Sequence, residues 1–89
     1  MRVDKFLKVM MLIKRRSVAN EMADEGFVKL NGRIAKPSAQ LKTGDILEID
    51  TWNMYKKLEI TALPDKGSVP KQDVDKYVQV IEYKAKEDI

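Results

Sequence analysis

The spacing of hydrophobic residues near the N-terminus is typical of two short helices. Apolar side chains recur every three or four positions over residues 3–13, which puts them on one face of an α-helix and leaves basic side chains opposite. After a basic corner at Lys14–Arg16, Ser17 is the expected N-cap of a second helix, and Gly26 is its expected C-terminal stop. The apolar face of the first helix comprises Val3, Phe6, Leu7, Met10 and Ile13.

After the second helix the hydrophobic period changes to two, which favours strands. Two alternating runs flank Asn31–Gly32, and this dipeptide predicts a hairpin because a type I′ turn needs positive φ at both central residues. A second turn at Lys42–Asp45 leads into a strand over Ile46–Asp50. Beyond a turn at Trp52–Tyr55, the run Lys57–Thr61 is the expected antiparallel partner of that strand.

The last third of the chain is predicted to be a linker followed by a helix. Residues 63–72 hold two prolines and a glycine and favour a linker. Apolar residues then recur at helical spacing at Val74, Tyr77, Val78 and Ile81, although valine and tyrosine also favour strands. We therefore predict an α+β fold in which two N-terminal helices pack on a small antiparallel sheet and a C-terminal helix follows. The predicted domain covers residues 1–62, and the linker and tail cover residues 63–89.

Composition limits the chemistry of the chain. Its 89 residues allow one small domain, and the absence of cysteine and histidine excludes disulfides, zinc sites built on those residues, and a Cys nucleophile or His base. The longest apolar run, Val9–Ile13, is far shorter than the ~18–20 residues of a membrane span. The acidic pairs Asp24–Glu25 and Asp73/Asp75 are expected to be solvated. We predict a cytoplasmic, monomeric protein that is not an enzyme, binds no membrane and needs no metal or cofactor.

Charge is distributed unevenly along the chain. The net charge is +3, but residues 1–36 carry nine basic residues against four acidic ones, and all four arginines lie there. Residues 37–89 carry eight lysines against ten acidic residues. A basic N-terminal half is typical of a nucleic-acid-binding protein, and a solvated charged face is the alternative explanation.

Three basic groups converge if the two helices form a hairpin: the free face of helix 1, the corner at Lys14–Arg16 and the start of helix 2. The first turn of helix 2 also offers unpaired N–H groups that suit a phosphate, with Ser17 and Asn20 as neutral donors. The hairpin tip at Asn31–Gly32 extends this surface. Trp52 and Tyr55 are candidates for base stacking, but packing at the sheet edge is the favoured interpretation.

An ordered set of motifs resembles the S4 RNA-binding domain, named after small-subunit ribosomal protein four. The resemblance covers residues 1 to about 50. Its opening and the length of the chain are most similar to the stand-alone ribosome-associated quality-control P-site factors, relatives of the fifteen-kilodalton heat-shock protein. The motifs are, in order, Arg2–Val9, Ile13–Ser17, Gly26, Asn31–Gly32, Lys36–Ser38 and Lys42–Asp45.

The resemblance implies an αL fold whose two helices present a basic face to structured RNA. It further implies binding to the rRNA of obstructed large ribosomal subunits, stabilisation of peptidyl-tRNA in the P site, and support of the tailing of stalled nascent chains by an NEMF-type partner. The RNA-contacting residues that it implies are Arg2, Lys5, Lys8, Lys14, Arg15, Arg16, Ser17, Asn20, Asn31 and Lys36.

Two other functions fit the same sequence. The first is a protein–protein adaptor whose basic face meets an acidic partner. The second is a generic accessory protein for structured RNA, such as the RNA-binding domain of a modification enzyme, although this chain carries no catalytic domain.

Overall fold

Two helices precede an antiparallel sheet in the computed structural model, which describes residues 1–65 and 67–86. Positions 66 and 87–89 of the predicted linker and tail lie outside the described residues. The helices are α1 (Val3–Val9) and α2 (Arg16–Asp24). The strands are β1 (Val28–Leu30), β2 (Arg33–Ile34), β3 (Ile46–Asp50), β4 (Met54–Ile60) and β5 (Val78–Ala85), in the spatial order β2-β1-β3-β4-β5. The predicted α+β class is confirmed.

The first helix ends at Val9 rather than at residue 13. Met11 adopts a left-handed backbone with φ 58°, and the N–H groups of Met11 and Leu12 return to the carbonyls of Lys8 and Leu7, each at 3.0 Å. This double return is the Schellman arrangement that closes a helix. The predicted apolar face is otherwise confirmed, because its first four members are buried in the core, while Ile13 lies beyond the helix and is half-buried.

The N-cap of α2 is Arg15, so the prediction of Ser17 as the cap is wrong. The carbonyl of Arg15 already accepts the N–H of Ala19 at 3.0 Å, which places Ser17 inside the first turn, and no side chain caps this end. The predicted stop is confirmed, because Gly26 has φ 89° and its N–H returns to the carbonyl of Ala23 at 3.1 Å.

The Asn31–Gly32 hairpin forms as predicted. Asn31 has φ 53° and Gly32 has φ 84°, and the residues on either side, Leu30 and Arg33, pair directly. Strand β3 has the predicted bounds. Strand β4 begins earlier than predicted, because its pairing with β3 extends back to Tyr55 opposite Asp50.

The predicted C-terminal helix is wrong. Lys71–Lys76 forms a short 3-10 helix, and β5 then pairs antiparallel with β4 along its length. Val78 is buried, but Ile81 is half exposed, so the helical spacing of the apolar residues marks no single buried face. Pairing with β5 completes the backbone hydrogen bonding of β4. The valine, isoleucine and tyrosine residues of β5 also favour a strand.

The predicted linker packs against the core. Pro64 and Val69 are buried, and the N–H of Val69 donates to the carbonyl of Val9 at 2.9 Å. The division of the chain at residue 62 stays a prediction. No helix in the described part of the chain has the length and apolar character that crossing a bilayer requires.

Candidate nucleic-acid interface

A buried carboxylate joins the starts of the two helices. Asp4 is 2% exposed. Its side chain accepts hydrogen bonds from Nε and Nη2 of Arg2 at 3.2 and 3.1 Å and from Nη2 of Arg16 at 3.5 Å. The side-chain amide of Asn20 and the backbone N–H of Lys5 also donate to it, at 3.2 and 2.8 Å. Three residues predicted to contact RNA, Arg2, Arg16 and Asn20, therefore meet at one acidic group.

The two arginines are held unequally. Arg2 uses two nitrogens of its guanidinium on Asp4, whereas Arg16 uses one at a longer distance. Their side chains are 42% and 48% exposed, so both guanidinium groups are still open to solvent. Arg16 has five N–H donors. Among the described residues only Asp4 accepts a hydrogen bond from the Arg16 guanidinium, so its other donors are available to a ligand.

Asp4 is ionised at neutral pH. Burial alone would raise its pKa, but the hydrogen bond from Asn20, the charge of Arg16, the N–H of Lys5 and the charge of Arg2 together hold the pKa below its ordinary value. The carboxylate therefore attracts both arginines at neutral pH.

A shallow cavity lies beside this cluster at the start of α2. It has a volume of about 420 Å³ and is lined by Asp4, Arg16, Ser17, Asn20 and Glu21. The side chain of the N-cap residue Arg15 makes no capping hydrogen bond, which leaves the first N–H groups of α2 available to an anion. Ser17 is exposed at this position, where a hydroxyl suits a phosphate oxygen.

The other basic residues that are predicted to contact RNA lie on α1, between the two helices and before Pro37. Lys5, Lys14 and Arg15 are exposed, and Lys8 is half-buried. Lys36 is exposed and precedes Pro37, whose carbonyl accepts the N–H of Asp4 at 3.2 Å. The segment after Lys36 thus docks at the start of α1.

Asn31 is bonded elsewhere. Its side-chain nitrogen donates to Oδ1 of Asp45 at 3.1 Å, and its side-chain oxygen accepts the N–H of Ile46 at 2.9 Å. The structure shows a role for Asn31 in the turn, and its contact with RNA stays a prediction.

Sequence reasoning missed two features. The first is Asp4, which the sequence analysis does not include among the site residues, although an acid at the edge of a buried helix face between cationic neighbours indicates an ion pair. The packing expected of Trp52 is wrong, because this side chain is 74% exposed. Trp52 and Phe27 line an apolar groove of about 380 Å³ at the turn between β3 and β4. Tyr55 is half-buried and donates to Oε2 of Glu48 at 2.5 Å.

The acidic residues that the structure describes form no metal-binding group. Among residues 1–65 and 67–86, no three acidic side chains are grouped so that they could hold a metal ion. Asp24 and Glu25 are exposed at the end of α2, and Asp73 forms a salt bridge with Lys76 at 3.3 Å.

Comparison with known proteins identifies the family to which the chain belongs. Residues 1–47 match the S4 domain family. The RQC P-site tRNA stabilizing factor of Streptococcus pneumoniae is 46% identical over 81 residues, which cover 91% of this chain and 90% of the relative. The factor of the same name from Helicobacter pylori strain J99 is 40% identical over 78 residues, covering 88% of this chain and 93% of the relative.

A solved structure also shares the fold. The trimeric heat shock protein 15 of Vibrio cholerae superposes with a TM-score of 0.82 at 26% identity, covering 90% of this chain and 80% of that one. The sequence-based resemblance to the S4 domain is confirmed over the residues that build the Asp4 cluster. The chain belongs to the S4-domain family of RQC P-site tRNA stabilizing factors.

Proposed function

We propose that this protein binds the rRNA of obstructed large ribosomal subunits in the cytoplasm and stabilises peptidyl-tRNA in the P site. In doing so it supports the tailing of stalled nascent chains by an NEMF-type factor. Relatives that are RQC P-site tRNA stabilizing factors, similar along nearly their whole length, support the P-site role.

The observation that carries the proposal is the shared position of Arg2 and Arg16. One arginine precedes α1 and the other begins α2, yet both reach the same carboxylate and keep much of their surface in solvent. A guanidinium is a planar fork that can hold two phosphate oxygens at once. Two such forks beside the open N–H groups of α2 form a compact binding surface for an RNA backbone.

The other predicted contacts extend this surface. Lys5 and Lys8 lie on α1, and Lys14 and Arg15 lie between the helices. Lysines in these positions neutralise phosphates without reading sequence. We therefore expect recognition of RNA by shape and backbone, as is usual for structured RNA.

Arg16→Ala tests the proposal, with Arg33→Ala as the matched control. Arg33 is exposed on β2 and is not among the predicted contacts, so its loss changes the net charge equally. Binding of purified protein to large subunits carrying P-site tRNA is measured by sedimentation through sucrose. Loss of charge-assisted contacts worth about 1.5–3 kcal/mol should weaken binding by Arg16→Ala roughly tenfold to a hundredfold.

Salt dependence provides a second measurement. The log–log slope of affinity against salt should fall by about one for Arg16→Ala, because one phosphate contact is lost. Arg16→Lys should recover part of the affinity, since lysine supplies charge without the fork. Equal affinities and slopes for Arg16→Ala and Arg33→Ala would overturn the proposal.

The apolar groove at Trp52 favours a second candidate, a protein–protein adaptor. An indole that is 74% exposed beside Phe27, itself 40% exposed, is the kind of anchor found at protein interfaces. Trp52→Ser distinguishes the two functions. An adaptor loses association with its partner in this variant, whereas an RNA-binding factor keeps its affinity for tRNA-carrying subunits.

A further inference from the structure

We infer that Asp4 is a positioning residue for RNA recognition, whose carboxylate holds the guanidinium groups of Arg2 and Arg16 in the orientation that binds RNA. The inference rests on the proposed function and assigns a role within the same surface. An acidic residue then strengthens the binding of RNA, although RNA is a polyanion.

Asp4 cannot act by touching RNA. Its side chain is 3% exposed, and its two oxygens accept five hydrogen bonds from protein donors. A carboxylate offers about four lone-pair sites, so no acceptor capacity is left for another partner. Any effect of Asp4 on binding therefore passes through the groups that it holds.

The two arginines need a common anchor because they belong to different elements of the fold. Arg2 lies before α1 and Arg16 at the first position of α2, with Asn20 one turn further on. The Asp4 carboxylate lies between them and sets the direction of both side chains. Fixing a flexible arginine before binding reduces the entropy that association would otherwise lose.

The contacts of Arg2 and Arg16 differ in a way that fits this role. Nε and Nη2 of Arg2 meet both oxygens of Asp4, an arrangement that fixes the plane of the guanidinium. The single contact of Arg16 at 3.5 Å restrains its position and leaves its donors for RNA. Asn20 donates to Oδ2 at 3.2 Å and keeps the carboxylate in place from α2.

A simple electrostatic role predicts the opposite sign. An anion beside two cations weakens the positive potential that attracts RNA. Removing the charge of Asp4 raises the net charge above +3. If Asp4 only neutralised charge, this change would strengthen RNA binding. A positioning role requires that removing the charge weakens binding.

Asp4→Asn tests the sign, with Asp24→Asn as the matched control. Asparagine keeps the size of the side chain, and Asp24 is exposed at the end of α2, so its replacement makes the same change in net charge away from the cluster. Affinity for large subunits carrying P-site tRNA is compared with affinity for heparin, a polyanion without RNA structure. We expect Asp4→Asn to bind the subunits about tenfold more weakly while its heparin affinity stays equal or rises, and Asp24→Asn to lose neither.

The double variant Asp4→Asn/Arg16→Ala shows whether the effect passes through Arg16. Residues that act together are not additive, so Asp4→Asn should cost much less in the Arg16→Ala background than in the wild type. Circular dichroism identifies variants that fold. If Asp4→Asn does not fold, Asn20→Ala replaces it, because this change removes one neutral donor from the carboxylate and leaves every charge in place. It should then weaken subunit binding, leave heparin binding unchanged and cost much less in the Arg16→Ala background, whereas loss of a direct contact between Asn20 and RNA would cost the same in both backgrounds.

Two results separate failure of the inference from failure of the proposed function. Wild-type protein that binds tRNA-carrying subunits no better than it binds heparin overturns the proposed function. Arg16→Ala that binds weakly, together with a folded Asp4→Asn that binds as tightly as wild type or more tightly, overturns the inference alone. For the replacement variant, wild-type subunit affinity of Asn20→Ala has the same meaning.

Discussion

Asn31 and Asp45 join the tip of the first hairpin to the turn before β3, with Nδ2 of Asn31 donating to Oδ1 of Asp45 at 3.1 Å. The other side-chain atom of Asn31, Oδ1, accepts the N–H of Ile46 at 2.9 Å. Asp45 in turn accepts the N–H of Lys42 at 2.8 Å. One amide thus connects two turns that are distant in sequence, in addition to the pairing of β1 with β3.

Asn31→Gly should lower the free energy of unfolding by about 1–2 kcal/mol, because it removes two hydrogen bonds of the side chain. Glycine adopts the positive φ of this position without strain, and the backbone entropy that it loses on folding adds to the loss of the side-chain hydrogen bonds. Chemical denaturation gives the change. Gly32→Ala is the complementary control: a Cβ at Gly32 meets nothing within 4 Å, so its cost comes from the backbone.

The same two variants show whether Asn31 also contacts RNA. If Asn31 contacts RNA, as the resemblance implies, folded Asn31→Gly should bind tRNA-carrying subunits more weakly than folded Gly32→Ala. A tenfold loss in fully folded Asn31→Gly, with Gly32→Ala unaffected, would place Asn31 in the interface.

Met11→Gly should stabilise the protein by about 0.5 kcal/mol. Met11 closes α1 with φ 58°, a conformation that costs an L-residue roughly 1–2 kcal/mol, and glycine returns part of that gain as backbone entropy. The side chain is 61% exposed, so little packing is lost. Thermal denaturation of wild type and variant measures the difference.

Lys5→Gly is the control for Met11→Gly. Lys5 is exposed inside α1 with a helical backbone, where glycine relieves no strain and costs about 1 kcal/mol. Destabilisation of similar size in both variants would show that the left-handed conformation at Met11 carries no strain in solution.

The sequence predicts correctly those parts of the fold that depend on local residue preferences. The hairpin at Asn31–Gly32 and the stop at Gly26 depend on residues that adopt positive φ easily, and both appear as predicted. The predicted end of α1 lies too late in the chain, because the residue that adopts the left-handed conformation there is Met11. Methionine has no preference for that conformation. No local signal marks that position.

The C-terminal strand depends on a distant partner. Residues 74–81 satisfy a helical period, but β4 offers them a free edge more than a dozen residues earlier in the chain, from Ile60 paired with Val78 to Met54 paired with Ala85. Periodicity within a segment carries no information about such an edge. Tertiary pairing therefore overrides the local pattern here.

The candidate site was predicted in its residue types but not in its geometry. A basic corner between two helices follows from charge and periodicity, and the structure brings Arg2, Arg16 and Asn20 together there. What the sequence could not show is that all three converge on Asp4. Side chains from two helices meet through packing of the helices, which their spacing in sequence does not describe.

Tyr55 should ionise near pH 12, which an ultraviolet titration of phenolate absorbance can detect. The hydrogen bond that its hydroxyl donates to Glu48 raises the pKa to about 12, with burial and the charges of Glu48, Glu82 and Asp50 acting in the same direction. Because the folded state favours the neutral phenol, this group contributes stability below the unfolded pKa of about 10. That stability is lost as pH rises through 10 towards 12.

Tyr55→Phe should remove the ionisation step near pH 12 and make unfolding less dependent on alkaline pH. Tyr83→Phe, which removes a phenol that is 55% exposed, should leave the late step in place. A late step that persists in Tyr55→Phe would show that the bond to Glu48 does not set it. Circular dichroism between pH 9 and 12 measures the folded fraction of the two variants and the wild type.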